Sequence, residues 1–436
     1  DGVASMMTDG LLYNYDNLTN VDYTQDLQKG NVTYTLGKSL LGKKEAIFTA
    51  DSNIAVINGK KTELATVPIV DEANVLIPVD SVCPIWGASY GANEEVLYIH
   101  TDGSDVIVPE IQKVFVEKQS VTIGEKASVI RYVRIPASSH IKTDIVLAQN
   151  TIGKVEELDS MAKRTSAKAA INGGFFQSFD SSKAQEPYGI LIKDGKLIHS
   201  DNSGSTLGFT KDGDIKLDIV RSLIIATVNG TDYAVSLMNH SPAVDSSAVV
   251  LFTSAYGETL NNAGTAVIVQ NSAITAISTE KTITIPKDGY VLLFTGDKAV
   301  ATSEMQKGST VSYTVTYTNA NNAKLNWSDV QTAIGAGPIL LKDGKSVLNP
   351  AKEGFTDETS FQISVARSAI GITKDGTILL TGNIKCTAEE LAAIMLELGA
   401  AQAIAMDSGA SSGLYTTTEE AVAAPMKAIS NALIFK

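Results

Sequence analysis

The chain has 436 residues, with 35 Lys and Arg against 48 Asp and Glu, a formal net charge of −13. That balance excludes a protein that grips nucleic acid by its phosphates, which needs clustered cations, and no apolar run reaches the ~20 residues of a membrane-spanning helix. Two distant cysteines, Cys83 and Cys386, supply neither metal-ligand spacing nor a disulfide framework.

Residues 1–30 are polar and carry no sustained period, so order there would have to come from docking. Short β-type runs then follow at 46–48, 54–57, 66–70, 75–79 and 96–99, and Asn58-Gly59 among them is a strong hairpin signal. Ile57-Asn58-Gly59-Lys60-Lys61, then Leu76-Ile77-Pro78-Val79, Trp86-Gly87-Ala88 and Val96-Leu97-Tyr98-Ile99 resemble the copper amine oxidase N-terminal-like domain of bacterial envelope proteins. The resemblance implies a small β-rich spacer or attachment domain over 31–113. The nearby His100 has no company that would make a metal centre.

From 114 to 436 the pattern predicts one strand-dominated unit. Five Lys-Asp-Gly triplets, at 193–195, 211–213, 287–289, 342–344 and 374–376, supply the positive-φ residues of tight hairpins between apolar runs. The spacing of Val155, Leu158, Met161 and Ala162 predicts a helix over 154–167. A capping box, Thr387-Ala388-Glu389-Glu390, opens a second helix carrying Leu391, Ile394, Met395 and Leu398 and stopped by Gly399. A buried strand over 402–406 follows. The fold class expected is α+β: mixed sheets with few helices, preceded by a small β-rich domain.

Four segments have the composition of a site. Asp407-Ser408-Gly409-Ala410-Ser411-Ser412 places a carboxylate at a strand's carboxyl end, followed by small residues that let backbone approach a ligand. Asn172-Gly173-Gly174-Phe175-Phe176 joins an amide side chain to a close-approach loop, or is a plain hairpin. Gly335-Ala336-Gly337-Pro338 interrupts an apolar strand, as at a bulge. Arg367 is the single charge of an apolar β-type stretch, so its burial demands an anion, either a ligand or a structural partner.

In this order the segments resemble the phosphodiester glycosidase family, whose best-known animal member removes N-acetylglucosamine from a sugar-1-phosphodiester. Gly189-Ile190-Leu191, Asn239, Tyr256-Gly257, the 286–290 turn and Ser430-Asn431-Ala432-Leu433 also match, over about residues 120–436. The resemblance implies a hydrolase of the sugar C1–O–phosphate bond, acting on such polymers as those of the cell envelope. No carboxylate and histidine cluster suits a two-metal site, so the expectation is no cofactor, or a single structural cation. The resemblance makes Asp407 and Arg367 catalytic and puts Asn172, Gly173, Gly174, Asn239, Gly335, Gly337, Gly409 and Ser411 on the substrate. Arg367 and the amides around Gly335–Gly337 and Gly409–Ser411 would hold the phosphate. Asp407 would stabilise the ring cation or act as nucleophile or base. A glycan or sugar phosphate is then the expected partner, with association to the cell wall. Few cysteines, few charges and much Thr, Ser, Asn and Gly point to an extracellular or cell-surface location, and a start at Asp1 fits a leader already removed.

The chain departs from the family pattern at Ala405 and Ser408, and at Lys427, where many relatives carry Arg. Those departures favour the other reading, a non-catalytic glycan-binding or structural surface protein on the same fold. Glu186 and Glu258 are the candidate second carboxylates, with solvated side chains the plainer reading; His240, beside Asn239, is a candidate proton carrier or a loop histidine, and His140 and His199 have no company that supports a role.

Overall fold

The computed structural model describes residues 5–7, 21–26, 31–36, 44–64, 67–71, 74–78, 89–92, 97–101 and 104–108, and 114–436 except 125, 140, 181 and 418–422. Cys83, Trp86-Gly87-Ala88 and His140 lie outside the described residues. The chain divides into two compact units, Asp1–Gln112 and Lys113–Lys436.

In the first unit, strands Val21–Asp26, Asn31–Leu36, Lys44–Thr49, Ile54–Ile57 and Lys60–Glu63 form an antiparallel meander. Asn58 and Gly59 take φ of 50° and 79°, the paired positive values of a tight hairpin turn. Val21–Asp26 pairs with Asn31–Leu36, so the break expected after residue 30 falls inside a hairpin. Of the described part of the 66–70 run, residues 69 and 70 belong to strand Ile69–Asp71, while residues 67 and 68 do not.

The second unit is strand-dominated α+β. A seven-stranded sheet runs in the order Phe115–Ile123, Lys126–Ile135, Ile378–Cys386, Val365–Ile372, Gln402–Ala405, Ile339–Lys342, Lys345–Ser346. A four-stranded sheet (Thr143–Leu147, Asn431–Phe435, Ala169–Asn172, Leu414–Thr416) and a five-stranded sheet containing Leu191–Lys193, Val330–Ala336 and Ser205–Thr210 share one core with it. Ile135, Ile145, Ile171, Leu207, Ile334, Ile370, Ile404 and Leu433 fill that core. Helix Ala388–Glu397 covers the outer face of the seven-stranded sheet through Leu391, Ile394 and Met395. Both bonds of its capping box are present, Thr387 Oγ1 accepting from the Glu390 amide and the Glu390 carboxylate from the Thr387 amide. Helix Leu158–Arg164 covers the four-stranded sheet. It is shorter than the predicted 154–167 because Glu156 bridges to Ile429 in extended form.

Four Lys-Asp-Gly triplets close hairpins as expected. The fifth does not. Gly289 opens strand Gly289–Phe294, and a Cβ there would lie 2.1 Å from the Val269 carbonyl oxygen. Its glycine serves close backbone approach instead of a turn.

The topology sets up one end of the second unit as a site. The carboxyl ends of Ala169–Asn172, Val330–Ala336 and Gln402–Ala405 meet the start of Ser205–Thr210 there, and the loops they feed surround a cleft.

Candidate active site

The cleft encloses about 730 Å³, and its walls come from the loops 175–189, 201–204, 354–361, 407–410 and Lys427. Asp407 enters from the end of strand Gln402–Ala405. Its backbone is fixed on both sides, the amide donating to the Gly173 carbonyl (3.1 Å) and the carbonyl accepting from Asn172 Nδ2 (3.0 Å). Its carboxylate accepts from the Ser408 amide at 2.8 Å. Burial raises its pKa to about 6, against the Ser411 hydroxyl, the Lys427 ammonium and that amide, all of which pull it down. The Ser411 hydroxyl is buried and makes no hydrogen bond of ordinary geometry.

Asn172 does not line the cleft. It is fully buried, donates to the Gly173 and Asp407 carbonyls and accepts from the Gly413 amide (3.0 Å), clamping the Asp407 turn to its own strand. Gly173, Gly174, Gly335 and Gly337 are also buried. They let three chain segments touch: a Cβ on Gly174 would lie 2.0 Å from the Gly335 carbonyl oxygen, and one on Gly335 would lie 2.5 Å from the Ile190 nitrogen. Gly337 precedes Pro338 through a cis peptide, and a Cβ on it would meet Glu353 Oε2 at 2.9 Å. Gly409 sits in the short turn Gly409–Ser411 with φ of 65°. Of the predicted residues, only Asp407 lines the cleft; Ser408 and Ala410 flank it.

Arg367 requires a correction. The guanidinium meets no anion and does not line the cleft. Its Nε donates to the Cys386 carbonyl at 2.8 Å, and its Nη2 to those of Ser360 (2.9 Å), Phe361 (3.3 Å) and Ile363 (2.9 Å). Burial pushes its pKa below the ordinary value. Carbonyl dipoles satisfy it in place of a counter-ion, and because Ser360 and Phe361 line the cleft, Arg367 braces a wall from behind. A register shift between Arg367 and Ala369 marks a bulge at this point of the strand.

Asn239 also needs correcting. It is buried with φ of 52°, donates to the Ile198 carbonyl and Thr253 Oγ1 (2.8 Å each), and accepts from the Thr253 amide. This bends the chain so that His240 and Ser241 meet Glu186. Glu186 is buried, not solvated: it accepts from the Ser241 amide (3.0 Å), Ser241 Oγ (2.7 Å) and Tyr256 Oη (2.9 Å). His199 is buried too, with Nδ1 2.8 Å from the Gly189 carbonyl and Nε2 3.2 Å from His240 Nδ1. A carbonyl only accepts, so the His199 proton is on Nδ1, and Nε2 accepts from His240. Burial, then repulsion from His240, lowers the His199 pKa to about 4.

Sequence reasoning missed several cleft groups. Asp201 accepts from the Gly189 amide (2.6 Å) and from the Ser203 amide and hydroxyl, so Gly189 is held by Asp201 on one side and His199 on the other. The signal was present, since Asp201-Asn202-Ser203-Gly204 is a turn composition directly before a strand. Lys427 lines the cleft with its Nζ 4.9 Å from the Phe176 ring centroid. Phe175, Phe355 and Phe361 pack edge to face with centroids 5.3–6.4 Å apart. Among the described residues, no group of three or more His, Cys, Asp or Glu is placed to hold a metal.

Residues 263–436, which include Asp407 and Lys427, match the profile of the phosphodiester glycosidase family. An uncharacterised protein of Rickettsia conorii (strain ATCC VR-613 / Malish 7) is 26% identical over 230 residues, half of this chain and 76% of that one. A solved structure of a hypothetical protein from Synechocystis aligns over 92% of this chain and 96% of its own, with a TM-score of 0.66 and 17% identity. One from Burkholderia pseudomallei K96243, named as an exported protein, aligns over 71% and 74%, with a TM-score of 0.57 and 20% identity. At those identities the two structures share the fold.

Proposed function

We propose that the second unit hydrolyses the C1–O–phosphate bond of sugar-1-phosphodiesters. One observation carries this: a carboxylate with its pKa raised to about 6 and a lysine line the same cleft within a phosphodiester glycosidase-like region. The phosphate is a weakly basic leaving group, so its departure needs little protonation. The demand falls on positive charge developing at C1 and negative charge on the departing oxygen. Asp407 answers the first. Desolvated and ionised above pH about 6, it gains most when a cation appears beside it. Lys427 takes the phosphate, the role expected of Arg367. Asp201, Tyr188, Ser178, Thr356 and Ser408 line the same cleft and offer polar groups to sugar hydroxyls. Secretion to the cell surface, association with wall glycopolymers and a spacer role for residues 31–113 belong to the same proposal.

The test is release of N-acetylglucosamine from the α and β anomers of its 1-(methyl phosphate). Asp407→Asn is expected to lower kcat/KM at least about a hundredfold, and the wild-type profile to fall on the acid side below pH about 6 as Asp407 protonates. The enclosure of Arg367 favours a second reading, a glycan-binding protein without turnover, because it leaves Lys427 as the cation lining the cleft. Binding of N-acetylglucosamine-1-phosphate with no hydrolysis of either anomer would select that reading.

A further inference from the structure

Five of the chain's eleven phenylalanines line the cleft: Phe175, Phe176, Phe179, Phe355 and Phe361. Phe175, Phe355 and Phe361 form the edge-to-face cluster, with Phe361 held through its carbonyl by Arg367. Phe179 is 98% exposed. A lone exposed ring calls for no explanation, but this one lines the same cleft as the partly exposed Phe175 and Phe355 and adds apolar area at its rim. A phenyl ring has no donor or acceptor for a hydroxyl, unlike Tyr or Trp, so these rings favour an apolar group over a second sugar. Lys427 adjoins the rings, with its Nζ over Phe176.

We propose that the group on the far side of the phosphate is apolar, so that the cleft prefers sugar-1-phosphodiesters of long-chain alcohols to those of sugars or glycerol. The inference rests on the hydrolase reading for the sugar–phosphate end and adds the aglycone. In the step, the C1–O bond breaks and the alkyl phosphate leaves with the bonding pair. The oxygen of water bonds to C1, and its proton passes to solvent.

Two measurements on the full chain separate the two ideas. Calorimetry with methyl, butyl and octyl phosphate and with glycerol phosphate reads aglycone recognition without turnover. Affinity is expected to rise with chain length, approaching about fourfold per methylene buried, with glycerol phosphate weakest. Hydrolysis of the matching N-acetylglucosamine phosphodiesters is expected to follow the same order. Phe179→Ser is expected to reduce the octyl-to-methyl ratio in both experiments without lowering Tm, because the side chain is exposed. Equal affinities, or preference for glycerol phosphate, overturn the apolar aglycone whatever the turnover. A chain-length preference in binding with no hydrolysis upholds it and overturns the hydrolase reading.

Discussion

Two residues of the site region carry pKa values displaced by burial in opposite senses. Asp407 titrates near 6 in the folded protein instead of 3.8, so folding disfavours its charge. Its stabilising effect is fully present below pH 3.8 and is lost as pH rises through about 6. His199 titrates near 4 instead of 6.5, so its effect is full above pH 6.5 and is lost as pH falls through about 4. The wild-type curve mixes the two, but a difference curve isolates one. Asp407→Asn minus wild type is expected to be near zero below pH 4 and to grow to at most about 3 kcal/mol of added stability above pH 6. That ceiling follows from about 1.4 kcal/mol for each pH unit between the unfolded and folded titration points. Denaturant titrations at pH 4, 5, 6 and 7 check it, and a flat difference would show that Asp407 is not desolvated. Loss of turnover in a variant that is more stable at pH 7 cannot be blamed on misfolding. Asp407 was legible in the sequence because a carboxylate ending an apolar strand before small residues is a local pattern. The fate of Arg367 was not, because its partners are main-chain carbonyls, which any residue type supplies.

Elements defined by local chemistry were likewise readable. The capping box of helix Ala388–Glu397 and the positive φ of Asp194-Gly195 and Asp343-Gly344 depend on neighbours within a few residues. Elements decided by remote strands were not: residues 154–157 have helical spacing, yet Glu156 takes an extended partner at Ile429. The cleft's framework belongs to this remote class. Gly174, Gly189 and Gly335 form one crossing, with a Cβ on Gly189 meeting Gly335 Cα at 2.9 Å and one on Gly174 meeting the Gly335 oxygen at 2.0 Å. Backbone, not a flexible side-chain tip, is what a methyl would strike, so the crossing cannot yield without moving strand Val330–Ala336. Gly174→Ala is therefore expected to cost at least about 3 kcal/mol, the upper end of overpacking penalties. The change in the urea midpoint measures it, and a loss under about 1 kcal/mol would mean that the crossing is loose. Gly174 and Gly335 thus set how closely the walls of the site approach.

At the scale of the whole chain, every described strand from 115 to 435 pairs only with strands of the same unit. The unit's clusters of buried side chains draw on residues from Val114 onward. All residues lining the cleft also lie there, from Phe175 to Lys427. Among the described residues, neither the cores nor the site therefore takes a strand partner from residues 1–112, which is how an independently folding domain is built. A fragment of residues 113–436 is expected to unfold cooperatively, with a Tm within about 3 °C of the matching transition of the full chain, a shift worth about 1 kcal/mol for a domain of this size. Its kcat/KM on the methyl phosphodiester is expected to equal that of the full chain. Scanning calorimetry and the release assay on both proteins check this together. A fragment that folds but loses turnover would assign residues 1–112 a part in the reaction, and one that fails to fold would overturn their independence.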